Sequence, residues 1–284
     1  MSDTEFKEKF IGFVDILGFK EMVKAAEAGT GMPLTELLEM LKNLGASDDR
    51  KRFENRGPTI CPQSTYIQRD LDFRVTQISD CVIVSGEVSP AGLINLVNHC
   101  WIAVIKLLAK GIMCRGYITR GSIYHTDDQF IGSGYQNAYS KEREVAVFKR
   151  KADERGTPFV EVDQTVCNYV RDHGDSCVKK MFSRYVKGDG VVIALFPFKR
   201  LSHSFVINRE FDTEKEKRSN KNVRLWIENF KERVMVLVDQ TSPNAVSKVE
   251  HYVAALDAQL EVCERTDKMI DMLNSPYPSS RIKS

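Results

Sequence analysis

The chain has 284 residues, of which 42% are hydrophobic and 28% charged, and its formal net charge is only +2. That length and apolar content suffice for one large domain, or for a domain with a helical extension. The near-neutral charge gives no bias toward DNA, RNA or a membrane surface, so we expect none of these as partners. Seven scattered cysteines without a Cys-x-x-Cys pair, no apolar N-terminal segment and no run of membrane-spanning length predict a soluble, cytoplasmic protein.

Short apolar runs alternate with helical patterns through the first half of the chain. The nearly continuous apolar run over 10–16 is typical of a strand that is buried on both faces. In chain order the predicted elements are a strand over 10–16, helices over 19–28 and 33–44, a surface loop over 46–64, a β-hairpin over 71–84 with its turn at Ser79-Asp80, a helix over 89–110 and a strand over 112–124. This order predicts an α+β fold with a ferredoxin-like βαββαβ core.

The second half of the chain is predicted to add two strands and several helices. In chain order these elements are a Gly-rich loop over 131–134 with a helix to Phe148, strands over 158–162 and 190–196, a charged connecting run over 208–221, and helices over 222–239 and 244–273. Within the charged run, residues 215–221 are interpreted as a solvated loop. The last helix carries an apolar stripe from Val249 to Leu273. That stripe favours packing against the chain's own body over an arm of a dimer.

Two aspartates stand at the edges of apolar strand-like runs, each beside a tight turn. Asp15 lies in Phe-Val-Asp-Ile-Leu-Gly-Phe, and Asp80 lies in the predicted hairpin turn. If the two strands are neighbours, both carboxylates can bind the same Mg²⁺ or Mn²⁺ ions, with the carbonyl of Ile16 as a third ligand. Each residue also has an ordinary interpretation, Asp15 as a helix N-cap and Asp80 as a turn residue.

Residues on either side of Asp15 are candidates for binding a nucleotide. The amides of Leu17, Gly18 and Phe19 stand at a predicted helix start, where the helix dipole and unpaired N–H groups favour phosphate. Phe13 and Phe19 are interpreted as core or pocket wall, with stacking on a base as the alternative. Arg115 can pair with a phosphate or cover a sheet edge. The sequence therefore predicts a metal and triphosphate site.

Four segments in this order resemble motifs of the class III nucleotide cyclases, over about residues 9–165. They are the segment from Phe13 to Phe19, the Ser79-Asp80 turn, the run from Arg115 to Gly121, and the helix from Gly132 to Glu142. The resemblance implies that a ribose 3′-hydroxyl attacks the α-phosphorus of the same nucleotide, with two divalent cations, Mn²⁺ or Mg²⁺, per site. It also implies a homodimer with paired sites between the protomers. On this basis residues 1–200 form a nucleotide cyclase catalytic domain and residues 201–284 a C-terminal linker and helical extension.

The chain departs from the purine cyclases at the positions that read the base. Thr76 and Gln129 stand where those enzymes carry a Lys or Glu and an Asp or Cys-type residue. A pocket without these groups leaves polar atoms of a purine unpaired, so ATP and GTP are less expected than pyrimidine nucleotides.

The helix motif departs as well. Gln136 stands where an Asn orients the ribose, and Ser140 where an Arg stabilises the reacting phosphorus. The candidates to replace that charge are Arg120, Lys141 and Arg143.

Taken together, Asp-Ile-Leu-Gly-Phe-Lys, Ser-Asp, Arg-Gly-x-Ile and Ala-Tyr-x-x-Glu (residues 138–142) resemble bacterial pyrimidine nucleotide cyclases of antiphage (Pycsar) signalling systems. That resemblance implies UTP as substrate, with CTP as the second choice, and cyclic UMP or cyclic CMP as product. It implies further that the product acts on a separate cyclic-nucleotide-sensing effector.

Two rival interpretations remain open. A catalytically silent cyclase-like domain that binds a nucleotide or a partner is supported by the missing Asn and Arg and opposed by the retained aspartate pair. A nucleotidyl transferase with a palm-like core would use the same two cations on an intermolecular nucleophile. The five histidines have no metal-ligand spacing and are interpreted as structural or surface residues.

Overall fold

The computed structural model describes residues 4–45, 60–68, 70–208 and 210–274. Most of the surface loop predicted over 46–64 therefore lies outside the described residues. The strands are β1 Lys7–Ile16, β2 Phe73–Ile78, β3 Cys81–Glu87, β4 Cys114–His125, β5 Phe130–Ile131, β6 Val160–Val162, β7 Val186–Gly188 and β8 Ile193–Leu195. The α-helices are α1 Phe19–Glu27, α2 Leu34–Leu41, α3 Pro90–Leu108, α4 Ser133–Glu142, α5 Gln164–His173, α6 Ser176–Tyr185, α7 Thr213–Val236 and α8 Pro243–Asn274.

A mixed sheet runs through the centre of the molecule. Its strand order is β2-β3-β1-β4-β6-β8-β7, and β5 pairs with β4 outside this path. β1 is antiparallel to both β3 and β4, and β2 is antiparallel to β3. The order β2-β3-β1-β4, with a helical crossover before β2 and another before β4, is the ferredoxin-like arrangement. The predicted α+β fold with a ferredoxin-like core and a C-terminal helical part is confirmed.

The central strand β1 is apolar along most of its length because both of its faces are covered. Phe10 and Val14 point into the core beneath α3, and Ile11 and Phe13 point to the opposite face beneath α4. The helix α3 begins with Pro90 after Ser89, whose hydroxyl accepts a hydrogen bond from the amide of Gly92 at 3.0 Å. Alternation along β1 therefore sends Asp15 to the α4 side of the sheet.

The expectation that no run reaches membrane-spanning length needs a correction. The helix α3 is long and apolar enough by length and composition to qualify, but 78% of its apolar window is buried inside the protein. It is apolar because it packs on the sheet and against α6 rather than because it faces lipid.

A pair of glycines fixes how closely α4 lies on the sheet. A Cβ atom added to Gly134 would come within 2.3 Å of Cδ1 of Ile11, and one added to Gly121 would come within 2.8 Å of the Cα atom of Gly134. Any larger residue would push the helix away from β1 and β4. Because α4 packs closely on the sheet, its C-terminal residue, Glu142, lies near Asp15.

The C-terminal helices pack on the body of the protein. In α8, Val249, Tyr252 and Leu256 are buried together with Phe159 and Phe198. The hydroxyl of Tyr252 also accepts a hydrogen bond from the amide of Cys114 at 3.3 Å. The interpretation of the apolar stripe as a packing face against the chain's own body is therefore confirmed.

Two predictions for the second half were wrong, and two helices were missed. The charged run over 208–221 is not a loop for most of its length, because α7 begins at Thr213 and Asp212 caps it by accepting hydrogen bonds from two amides of its first turn. The helix expected to reach Phe148 ends at Glu142. The helices α5 and α6 were missed, although Asp163 and Asp175 cap them in the same way.

Candidate functional site

The two aspartates meet at one edge of the sheet. Asp15 lies opposite Cys81 on β3 and Arg115 on β4. The amide of Ile16 donates a hydrogen bond to the carbonyl of Asp80 at 3.1 Å, so the β2–β3 turn folds directly against the end of β1. Both aspartates are half-buried. The structure thus brings together the two carboxylates that the sequence singled out.

The negative charges at this edge affect the ionisation of Asp15. Burial, followed by the negative charges of Asp80 and Glu142, raises the pKa of Asp15 from 3.8 to about 7, although the guanidinium of Arg115 opposes the shift. The N-cap interpretation of Asp15 is wrong, because the residue at the N-cap of α1 is Gly18. Asp80 does lie in the tight turn, next to Ser79, which has a left-handed φ of 52°.

A divalent cation fits this donor set. Two acceptor-only carboxylates that repel each other are stabilised by a cation between them, and the carbonyl of Ile16 is close in sequence. No cluster of three or more His, Cys, Asp or Glu side chains with metal-ligand geometry occurs in the part of the chain that the structure describes. A bound ion would therefore take its other ligands from backbone, water or substrate phosphate, as Mg²⁺ usually does in proteins.

The turn after Asp15 supplies fewer amide donors than the sequence suggested. The amide of Leu17 donates to the carbonyl of Met113 at 2.9 Å, so it is not available to a phosphate. Gly18 begins α1 with a left-handed φ of 77°, and no side chain caps this helix start. A Cβ atom on Gly18 would meet nothing within 4 Å, so the turn is open on that side. The amides of Gly18 and Phe19 remain candidates.

Arg115 is held by neighbours in this structure. Its Nε atom donates to the carboxylate of Glu142, and one terminal nitrogen donates to the carbonyl of Gly156 at 3.3 Å. The side chain of Glu142 is only 4% exposed and that of Arg115 only 15% exposed. These contacts favour the structural interpretation of Arg115, and its contact with a nucleotide stays a prediction.

The two phenylalanines have different surroundings. Phe13 is 3% exposed, and its ring stands edge-on to those of Tyr135 and Tyr139 on α4. Phe19 is half-buried against the main core. Both positions favour core or pocket wall over stacking on a base. An exposed ring at this face belongs instead to Tyr139, which is 43% exposed and entered the sequence analysis only as part of the Ala-Tyr-x-x-Glu motif.

Of the two predicted base-reading residues, Thr76 contacts a buried histidine, and Gln129 lies in the connection that follows this histidine. The hydroxyl of Thr76 lies 3.0 Å from Nε2 of His125, whose Nδ1 lies 2.8 Å from the hydroxyl of Ser85. Exposed Gln129 directly precedes Phe130, which pairs with His125 in the β4–β5 ladder. Burial, and then the positive charges of Lys9 and Arg74, lower the pKa of His125 to about 4. The imidazole is therefore neutral near pH 7, and its interpretation as a structural residue did not anticipate this network.

The structure distinguishes among the three residues that could replace the positive charge missing at Ser140. Arg120 lies opposite Phe10, about 17 Å along the strand from Asp15, and forms an ion pair with Glu8 at 2.8 Å. It is therefore excluded as the replacement for the missing charge. Lys141 pairs with Glu144 at 2.6 Å, and Arg143 donates to the hydroxyl of Tyr139 at 3.1 Å.

Two further side chains of this region have no positive charge to offer. Gln136 is exposed on α4, and Ser140 donates its hydroxyl to the carbonyl of Asn137 at 3.1 Å. A further cationic side chain lies near this edge, and no motif or spacing in the sequence indicated it. Lys248 of α8 is close enough to Arg115 and Glu142 for their charges to affect its pKa. Only the docking of α8 brings it there.

Comparisons with known proteins gave matches among solved structures. No protein-family model and no curated protein matches the chain. The catalytic core of a rhodopsin-guanylyl cyclase with converted specificity, in complex with ATPalphaS, is 11% identical with a TM-score of 0.34, over 59% of this chain and 83% of its own. A bacterial light-regulated adenylyl cyclase is 10% identical with a TM-score of 0.37, over 80% of this chain and 57% of its own. Similarities this distant do not indicate a reaction, substrate or partner.

Proposed function

We propose that the chain is a nucleotide cyclase that converts UTP, or as second choice CTP, into 3′,5′-cyclic UMP or cyclic CMP and pyrophosphate. The observation that carries the proposal is the meeting of Asp15 and Asp80 at one sheet edge, tied by the hydrogen bond of 3.1 Å from Ile16 to Asp80. The open, uncapped start of α1 at Gly18 stands directly beside this pair. Carboxylates beside a helix start are a suitable arrangement for a metal-bound triphosphate.

The chain's own residues have distinct roles in this proposal. Two divalent cations, Mn²⁺ or Mg²⁺, when bound, would make the ribose 3′-hydroxyl more acidic and neutralise charge on the triphosphate. Asp15, Asp80 and the carbonyl of Ile16 hold them. The amides of Gly18 and Phe19 orient the phosphate oxygens. Because Asp15 must be ionised to bind a cation, its raised pKa of about 7 predicts weaker metal binding in acid.

The pyrimidine preference is supported by the neutrality of the base-reading positions. Thr76 and Gln129 carry no charge, and the His125 ring beside Thr76 is neutral because its pKa is lowered to about 4. A neutral hydroxyl, amide and imidazole offer hydrogen bonds without the charged group that the purine enzymes use. This neutrality supports UTP or CTP over ATP or GTP.

The remaining parts of the proposal follow from the same resemblance. Residues 1–200 would form the catalytic domain, and residues 201–284 the linker and helical extension. Two protomers would pair, so that α4 of one faces the aspartates of the other, and Gln136 is exposed on α4 as this requires. The product would act on a separate cyclic-nucleotide-sensing effector in the cytoplasm, as part of antiphage defence.

Incubation of the purified chain with each of the four ribonucleoside triphosphates and Mn²⁺ tests the proposal. We expect pyrophosphate and a cyclic product from UTP or CTP and little from ATP or GTP. Chromatography against authentic cyclic nucleotides identifies the product, and light scattering measures whether the active species is a dimer. Equal turnover of all four nucleotides would contradict the pyrimidine preference, and no product at all would contradict the cyclase.

A silent nucleotide-binding module is the second candidate. It is favoured by Ser140, which bonds back to its own helix and cannot supply the charge of an arginine. Such a module would bind UTP without releasing pyrophosphate, so calorimetry beside the activity assay separates it from an enzyme. A nucleotidyl transferase would instead label an added primer or acceptor, which a cyclase leaves unchanged.

A further inference from the structure

A cavity opens immediately beyond the candidate metal edge. Its volume is about 610 Å³, and it lies between α1 and the connection from α7 to α8. Leu17 and Gly18, the residues that follow the Asp15-Ile16 strand end, form part of its wall. A volume of this size is within the usual range for small-molecule sites. The cavity is therefore continuous with the turn at which a phosphate is expected.

The cavity contains one positive charge among the lining residues that the structure describes. That charge belongs to Lys248, which α8 presents half-buried to the cavity. The two acidic residues in the wall are engaged elsewhere, since Glu21 pairs with Lys24 at 2.9 Å and the carboxylate of Asp239 accepts hydrogen bonds from Thr241. Neither neutralises Lys248.

The ammonium group of Lys248 makes no ion pair or hydrogen bond with any residue among those described. The negative charge of Glu142 acts on Lys248 and raises its pKa, but the carboxylate of Glu142 is already bound to Arg115. Burial, and then the charge of Arg115, lower the pKa of Lys248, which means that the charged form is poorly compensated here. An anion in the cavity would compensate it.

We propose that Lys248 binds the terminal phosphates of a nucleoside triphosphate within this cavity. This inference rests on the proposed function and deepens it. The C-terminal helix would then supply, from the same protomer, a positive charge that Ser140 of α4 does not supply. Much of the cavity wall is apolar, including Met22, Met32 and Val236. An apolar wall limits solvent screening and so strengthens the attraction between an ammonium and a phosphate.

The alternative is that Lys248 only moderates the charge of Glu142. A structural lysine of that kind would affect folding stability and leave phosphate binding unchanged. Arginine at the position would preserve the charge in both cases, so the neutral substitutions discriminate. The same helix offers a matched control, because Lys268 is exposed to solvent and does not line the cavity.

Binding of inorganic tripolyphosphate to the full chain, measured by calorimetry with Mg²⁺, tests the inference. We expect Lys248→Met and Lys248→Gln to weaken binding by about tenfold or more, because a charge-assisted contact in a poorly solvated site is lost. Lys248→Arg should retain most of the affinity, and Lys268→Met should bind as the wild type does. Circular dichroism and melting curves establish that each variant is folded, and Lys248→Gln serves if Lys248→Met is not.

The outcomes separate this inference from the proposed function. Unchanged tripolyphosphate affinity in both neutral variants, or no binding to the wild type, overturns the role of Lys248. If the neutral variants lose affinity while the wild type makes no cyclic product from any nucleotide, the phosphate site stands and the cyclase proposal fails. If the wild type is an active cyclase and Lys248→Gln has an unchanged KM, the cyclase stands and the inference fails.

Discussion

The carbonyl of Asp80 accepts a hydrogen bond from the amide of Ile16 at 3.1 Å, and this contact joins the β2–β3 turn to the end of β1. Because of it, Asp15 and Asp80 lie at the same edge although they are far apart in the sequence. In the register of the sheet Asp15 also lies opposite Arg115, so an acidic and a basic residue are neighbours in one row. The chemistry that we propose depends on this row.

Replacing either aspartate should abolish most of the activity. For Asp15→Asn or Asp80→Asn we expect the rate of cyclic nucleotide formation to fall on the order of 10³-fold, because each amide removes a negative ligand that the cations require. The measurement is initial rate with UTP and Mn²⁺. Asp172→Asn, at an exposed position on α5, is the control and should keep wild-type activity. Loss of less than tenfold in both site variants would show that the pair does not hold the cations.

Stability in the absence of metal should fall as Asp15 ionises. The pKa of Asp15 in the folded protein is about 7 against an ordinary 3.8. The folded state therefore keeps a proton that the unfolded state loses, and the free energy of unfolding decreases as the pH rises from about 4 to about 7. Above that range the whole penalty is present, amounting to a few kcal/mol at most.

The Asp15→Asn variant isolates this effect from the other titrating groups. Denaturant unfolding of the wild type and the variant, without metal, should diverge with increasing pH in favour of the variant. Addition of Mn²⁺ near pH 8 should stabilise the wild type and not the variant, because only a folded pair of carboxylates binds the ion. Parallel stability curves for the two proteins would contradict the raised pKa.

Changing the base-reading positions should shift substrate preference. We expect Thr76→Lys combined with Gln129→Asp to raise the ratio of ATP to UTP turnover by about tenfold or more, because charged groups would then meet the edge of a purine. Competition assays with both nucleotides measure this ratio. Gln77→Lys with Gln129→Asp is the matched control, since alternation along β2 points residue 77 to the opposite face. A ratio equal in both double variants would refute the assignment of Thr76.

The ferredoxin-like core was accessible from the sequence because its signals are local. The apolar run of β1, the hairpin turn at Ser79-Asp80 and the Ser89-Pro90 start of α3 each specify their element within a few residues. The first part of α7, residues 213–221, was mistaken for a loop because it is dominated by charge, although Asp212 gives a capping signal. The prediction gave more weight to the high charge of this segment than to the N-cap residue before it.

The long-range contacts of the site were not accessible in the same way. His125 reaches Thr76 only because the end of β4 and β5 fold across the sheet, and Lys248 reaches the cavity only because α8 docks beside β4. Neither contact leaves a periodic pattern or a motif near the residues concerned. The Asp15–Asp80 pair was predictable because strand pairing of a known plan determines which strand ends are neighbours.

Breaking the ion pair between Arg115 and Glu142 should destabilise the protein and leave a charge uncompensated. For Glu142→Gln we expect a loss of about 2–4 kcal/mol in the free energy of unfolding near pH 7, since the guanidinium of Arg115 is mostly buried. Replacing both residues, as Arg115→Met with Glu142→Gln, should cost less than the sum of the single changes Arg115→Met and Glu142→Gln, because no unpaired charge then remains. Denaturant unfolding of the four proteins gives the coupling energy. Additive costs would mean that the two side chains do not interact in solution.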